Sequence, residues 1–207
     1  MAKRRYTKRR RAEQEEDTRK RILEAAVALH GELGPRDTTI SAIAERAGVQ
    51  RLTVYRHFPD DYALFRACTS HWLASNPPPD PDLWAQGGDP RKLTHDGLAS
   101  LYAYYRQTSY MWRLSYRDYD EVPALQGPMR EFEQYLDRIR DRLFDAWAPS
   151  RGRAAAVRAV LGHCLRYSTW RSLADEGLGD EGIADLMAAW LDGLATARRE
   201  TAEAADR

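Results

Sequence analysis

Six side chains between positions 50 and 57 carry hydrogen-bond donors: Gln50, Arg51, Thr53, Tyr55, Arg56 and His57. Donors of this kind, presented on one outward helix face, bond phosphate oxygens or the edges of bases in a major groove. They do so only if a second short helix crosses the first steeply and holds it out, which requires a small residue at the crossing and a turn residue between the two. The stretch TISAIAERAGVQRLTVYRHFPDDYALF, residues 39–65 with its flanks, supplies both. Ala44 lies where the backbones approach, Gly48 takes the turn, and Val49 and Val54 plug the junction. Phe58 and Leu64 anchor the pair on neighbouring helices, leaving the donors outside with Tyr55 on their edge.

The elements that position these residues are all helices. Ile22, Ala25, Ala26, Leu29 and Leu33 recur at the helical period and predict a helix over 15–33, closed by Gly34 and Pro35. Thr38 and Thr39 can cap a short helix that Gly48 stops, and a third runs over 51–57. Pro59 and Asp60 restart the chain into a helix over 60–75. Residues 76–90 hold five prolines and two glycines and predict a loop. Helices are predicted at 91–107, 109–118, 128–147, 150–175 and 181–203. With no strand pattern or repeat, the fold class is all-α: an N-terminal three-helix helix-turn-helix domain joined to a C-terminal helical domain. The expected division is a basic disordered arm over 1–14, the helix-turn-helix domain over 15–60 and the second domain over 61–207.

Charge supports a polyanion at one end. The net charge is +1, yet residues 1–66 hold 15 Lys or Arg against 10 Asp or Glu, and the remainder holds 17 against 21. Seven of the first eleven residues are basic: Lys3, Arg4, Arg5, Lys8, Arg9, Arg10 and Arg11. At 207 residues and 43% hydrophobic, the chain can bury a core but leaves little room for a multidomain enzyme. No apolar run is long enough to span a membrane, and no secretory signal or cysteine framework is visible in Cys68 and Cys164, so the sequence predicts a cytoplasmic chain.

Three blocks, TRKRILEAAVALHGELG, TTISAIAERAGV and TVYRHFPDDYALF, together with the overall length, resemble the TetR family of bacterial transcription regulators. The resemblance covers residues 18–66 in detail and the remainder only in plan. It implies that Gln50, Arg51, Leu52, Thr53 and Arg56 read bases, that Tyr55 and His57 hold phosphates, and that Thr18 and Thr39, at helix starts, clamp the DNA backbone. Leu52 replaces a residue that is commonly small in the family, and Asp61 stands where a phosphate-contacting lysine is usual. The basic arm would then supply the missing charge, as arms entering a minor groove do.

The resemblance further implies a homodimer that reads a palindromic DNA operator as a repressor and is released by a small-molecule effector, with no membrane partner. The last two helices would pack on their two-fold mates through Val157, Leu161, Leu165, Met187, Trp190, Leu191 and Leu194. The effector would be apolar or aromatic, with a preference for positive charge from Asp118, Asp120 and Glu121. It would sit among the middle helices against Tyr102, Tyr105, Trp112, Tyr116, Tyr135 and Trp147, residues that otherwise make core. Gly177, Gly179 and Gly182 spell GxGxxG, but they follow a helix and carry Asp180 and Glu181, so they predict a turn and not a phosphate cradle. Cys68 and His71 lack a second pair of metal ligands, and neither a cofactor, a metal nor a catalytic constellation is expected. The rival readings are a DNA-binding protein without an effector, separated by whether any compound releases DNA, and an all-α enzyme with a helix-turn-helix interaction module.

Overall fold

No proline falls in a helix interior: Pro90 opens α5 and Pro128 lies in the first turn of α6. The computed structural model describes residues 2–80, 82 and 88–196, all of whose regular structure is helical. Helix α1 spans Ala2–Glu32, α2 Ile40–Arg46, α3 Arg51–His57, α4 Asp61–Ser75 and α5 Pro90–Asp118. A 3-10 turn, Pro123–Leu125, leads into α6, Gln126–Trp147, followed by α7, Ala154–Cys164, α8, Tyr167–Asp175, and α9, Asp180–Thr196. The predicted helix residues 197–203 lie outside the described residues.

Three helices differ from expectation. Where a disordered arm is expected, α1 is helical from Ala2. Ala, Arg, Lys and Glu are strong helix formers, and the Arg9–Glu13 and Arg11–Glu15 pairs, at 2.9 and 3.7 Å, span the i,i+4 spacing. The segments expected at 91–107 and 109–118 form one helix, in which the Thr108 hydroxyl donates back to the Tyr104 carbonyl at 2.5 Å. The single helix expected over 150–175 is instead two. At the break, three carbonyls that would have accepted from the next turn take hydroxyl donors: His163 from Thr169, Cys164 from Tyr102 and Leu165 from Tyr105, each at 2.7 Å.

The chain forms two compact units, residues 1–77 with 109–130 and residues 78–108 with 131–207. Helix α4 and residues 109–130 thus group with the helix-turn-helix, because Leu64 and Cys68 of α4 join its core. In this first unit Ile22, Ala25, Ala26 and Leu29 of α1 pack with Ile43 and Ala44 of α2, Val54 of α3 and Phe58. Trp72 of α4 meets Trp112 edge to face, with ring centroids 6.0 Å apart, and donates its indole N–H to the Tyr110 hydroxyl at 3.2 Å. In the second unit Leu98, Leu101, Ile139, Leu143 and Ile183 are fully buried.

A buried carboxylate fixes the chain between α1 and α2. Asp118 accepts from Nε and Nη2 of Arg117 at 2.6 and 3.0 Å and from the Arg36 backbone N–H at 3.1 Å. Arg117 Nη2 also donates to the Leu33 carbonyl at 2.8 Å, and Arg36 pairs with Glu121 at 3.1 Å. Gly34 sits against this cluster with φ +96°, and a Cβ there would strike the Arg117 guanidinium and the Asp118 carboxylate. Burial alone would raise the Asp118 pKa, but the Arg117 guanidinium and the Arg36 N–H outweigh it and hold the carboxyl below its usual range.

Asp118→Asn keeps the side-chain shape but loses the charge, and should lower the unfolding free energy by about 1–3 kcal/mol. Because the folded-state pKa is depressed, this contribution is present above the unfolded carboxylate pKa of about 3.9 and fades as pH falls through the lower folded value. Denaturant titrations of both proteins should therefore converge in acid, and a constant gap would show that the charge is not what stabilises the cluster.

Candidate nucleic-acid interface

The donor-bearing helix α3 is held by one residue. Val54 is its only fully buried residue, sealed against α1 and α2, which leaves Arg51, Leu52, Tyr55 and Arg56 facing outward. Its angle comes from the turn before it. Gly48 adopts φ +65° and donates to the Glu45 carbonyl at 3.1 Å, while Val49 N–H reaches back to the Ala44 carbonyl at 2.9 Å. Arg21 of α1 donates from Nη1 to the Ala47 carbonyl at 2.8 Å, satisfying the end of α2 and tying the turn to α1.

At the other end of α2 the Thr39 hydroxyl oxygen accepts from the Ala42 N–H at 3.2 Å, a side-chain N-cap that leaves its own proton free to donate outward. Asp60 caps α4 in the same way, accepting from Ala63 N–H at 2.7 Å. Thr18 does not stand at a helix start. The N-terminal extension of α1 places it mid-helix, where its hydroxyl donates to the Gln14 carbonyl at 2.9 Å and its oxygen receives Arg21 at 3.5 Å.

On α3 itself Gln50, Arg51, Leu52, Tyr55 and Arg56 are exposed, and Thr53 and His57 half-buried. Neither Arg51 nor Arg56 is paired with a carboxylate among the described residues, so both guanidinium forks remain available to an anion. Leu52, 78% exposed, adds a projecting apolar group of the kind that meets a thymine methyl. His57 turns inward, its Nε2 buried without a partner. It lines a crease with Arg19 and Arg66, and the Arg19 guanidinium lies 5.2 Å over the Phe58 ring. Arg19, Arg21 and Arg66 escape a reading confined to residues after the turn glycine, since their roles depend on which α1 and α4 residues flank α3 in space.

Two short crossing helices, a positive-φ glycine turn, an outward helix with unpaired arginines and a fourth helix closing the core make a DNA-binding helix-turn-helix. The sequence profile of the bacterial regulatory proteins, tetR family, matches residues 22–68, from the first buried residue of the α1 stripe to Cys68 of α4. Residues 22–68 are a TetR-family DNA-binding domain. Solved structures extend the likeness, as fold, over most of the remainder. A TetR-like transcriptional regulator from Rhodococcus sp. RHA1 is 17% identical, with a TM-score of 0.58 over 86% of this chain and 93% of that one. A TetR-family protein from Mesorhizobium loti is 20% identical, with a TM-score of 0.59 over 86% and 96%. NalD, the secondary repressor of the MexAB-OprM multidrug efflux pump in Pseudomonas aeruginosa, is 20% identical, with a TM-score of 0.54 over 86% and 95%. No curated protein matches the sequence.

Outside the TetR-family DNA-binding domain, the aromatic residues expected to hold an effector are engaged within the chain. The Tyr102 and Tyr105 hydroxyls are spent on the α7–α8 break, Tyr135 donates to the Pro79 carbonyl at 2.6 Å, and Trp147 donates to Thr94 at 2.8 Å. Trp112 stands between Trp72 and Tyr116, at 6.0 and 6.1 Å. The residues expected at a dimer contact also divide. Val157, Leu161, Leu165 and Leu191 are fully buried and Met187 nearly so, because their stripe faces its own unit; they are core and not interface. On α9, Trp190 and Leu186 are 45% and 47% exposed, and Leu194 is half-buried. Among the described residues no group of three or more His, Cys, Asp or Glu could hold a metal, and no helix is long and apolar enough to cross a membrane.

The turn geometry predicts a graded response. In Gly48→Ala the added Cβ would meet only Arg21 Nη1, at 3.7 Å, so the cost is conformational, about 1–2 kcal/mol. Gly34→Ala adds a steric clash with Arg117 and Asp118 and should cost more. Thermal unfolding of the two variants checks the order, and equal losses would remove the clash from the account.

Proposed function

We propose that this TetR-family regulator is a homodimeric repressor that binds a palindromic operator through α3 and is released by a small apolar or aromatic effector. The observation that carries DNA reading is α3, with a single buried anchor and two exposed, unpaired arginines. Arg51, Gln50 and Arg56 supply bidentate donors for base edges, while Thr39, Tyr55 and the arginines beside His57 supply phosphate contacts. Repression follows the parallel with NalD, itself a secondary repressor.

On DNA selected from random sequence, Arg51→Ala and Arg56→Ala should each cost about 1–3 kcal/mol while barely altering binding to unrelated DNA. Equal losses on both substrates would make them phosphate contacts.

The dimer forms through the exposed side of α9. Leu186 and Trp190 lie one turn apart, and the His163 ring of α7 packs edge to face on Trp190 at 6.1 Å, so one apolar ridge is shared by both helices. A two-fold axis lets that ridge cover itself, and two recognition helices then meet successive major-groove faces. Leu186→Arg and Trp190→Arg should yield monomers with sharply weaker operator binding and intact helicity. Sedimentation of still-dimeric variants would move the interface elsewhere.

The effector acts through α4. The Trp72–Trp112 contact joins α4 to the end of α5, so a molecule pressing on Trp112 or Tyr116 displaces the helix that closes the DNA-binding core.

A further inference from the structure

Next to the helix-turn-helix the first unit opens a groove of about 480 Å³, within the size range of small-molecule sites. The end of α1, α2 with its lead-in, the start of α4 and the 3-10 turn all contribute, and none of the six aromatic residues assigned to the effector lines it. Its lining is largely apolar, with Ile43, Phe65 and Pro123 among the residues present.

Three polar features give it chemistry. Arg36 and Glu121 neutralise one another at 3.1 Å. Asp61, where the family usually has a lysine, also lines the groove but has neither an ion pair nor a hydrogen bond among the described residues, which leaves one uncompensated negative charge. His30 is only 6% exposed and stacks on Phe65 at 4.8 Å, yet its ring nitrogens find no hydrogen-bond partner among the described residues. Burial pulls its pKa down to about 4, so at neutral pH the ring offers one donor and one acceptor without charge.

We infer that this groove binds a small, largely apolar organic amine, its ammonium beside Asp61, its body against Phe65 and Pro123, and His30 available for a hydrogen bond. The site is separate from the one among the middle helices, and its occupant touches α2, which supports α3. An anion is disfavoured by Asp61, and a fully apolar molecule leaves both Asp61 and His30 unanswered.

The test uses the full chain with labelled histidine, titrated with 4-phenylbutylamine, 4-phenylbutanol and 4-phenylbutyrate while the His30 ring signals, assigned with His30→Gln, are followed by NMR. The amine should shift them saturably and bind roughly fivefold more tightly than the alcohol, with the butyrate weakest. Asp61→Asn, an exposed change that should lower the unfolding temperature only slightly through the loss of a first-turn carboxylate, should bring the amine to the level of the alcohol. No shift with any compound, or an amine preference that survives Asp61→Asn, overturns the site. Quenching of tryptophan fluorescence with unmoved His30 signals also overturns it, and supports the middle-helix effector site instead.

Discussion

The buried carboxylate of Asp118 is the constraint from which the DNA-binding geometry follows. Its desolvation is tolerable only with donors on both oxygens, and those come from Arg117 and from the backbone of Arg36. Fixing Arg36 fixes the five residues from Leu33 to Asp37, which set where Thr39 caps α2. The Gly48 turn then sets α3 on α2, and Val54 locks it. Each step is short, so a displacement at Asp118 has few places to dissipate before it reaches α3. The same residue lies at the end of α5, six positions beyond Trp112, so a shift of this end of α5 would act directly on the α1–α2 connection.

Most of the first unit is legible in the sequence because its information is local. Apolar residues at the helical period, a glycine followed by a donor-rich run and a threonine before it define three helices and their turn; the structure has α2, α3 and the turn within a residue or two, and carries α1 back to Ala2. The second unit hides its most telling features in pairs distant along the chain. Nothing in residues 160–170 signals a helix break, because the groups that satisfy the freed carbonyls, Tyr102 and Tyr105, are some 60 positions away. Thr108 and Ser109 resemble a break and are not one, since a threonine hydroxyl can fold back on its own helix.

Periodicity shows that an apolar face exists but not what it covers. Leu161 and Leu191 belong to regular stripes and are as well placed for a partner chain as for a core; only the packing shows that they are spent internally and that Trp190 and Leu186 remain outside. The tyrosines of the middle helices teach the same lesson about hydroxyls. Their abundance suggests ligand orientation, yet two of them serve as distant caps for a neighbouring helix end, a structural task that needs a buried ring with a polar tip.

Helix α1 begins at Ala2 with no acidic residue in its first turn, and the sequence puts the formal charges of Lys3, Arg4 and Arg5 at the end where the aligned peptide dipoles are also positive. Over about 46 Å of rod the repulsion is concentrated at the tip. Added salt screens it and favours the first turns, while the same salt weakens any contact those residues make to a polyanion. Ionic strength therefore acts twice on this segment and with opposite signs, and the salt slope of a complex that engages the tip reports the difference between the two effects and not a count of neutralised phosphates.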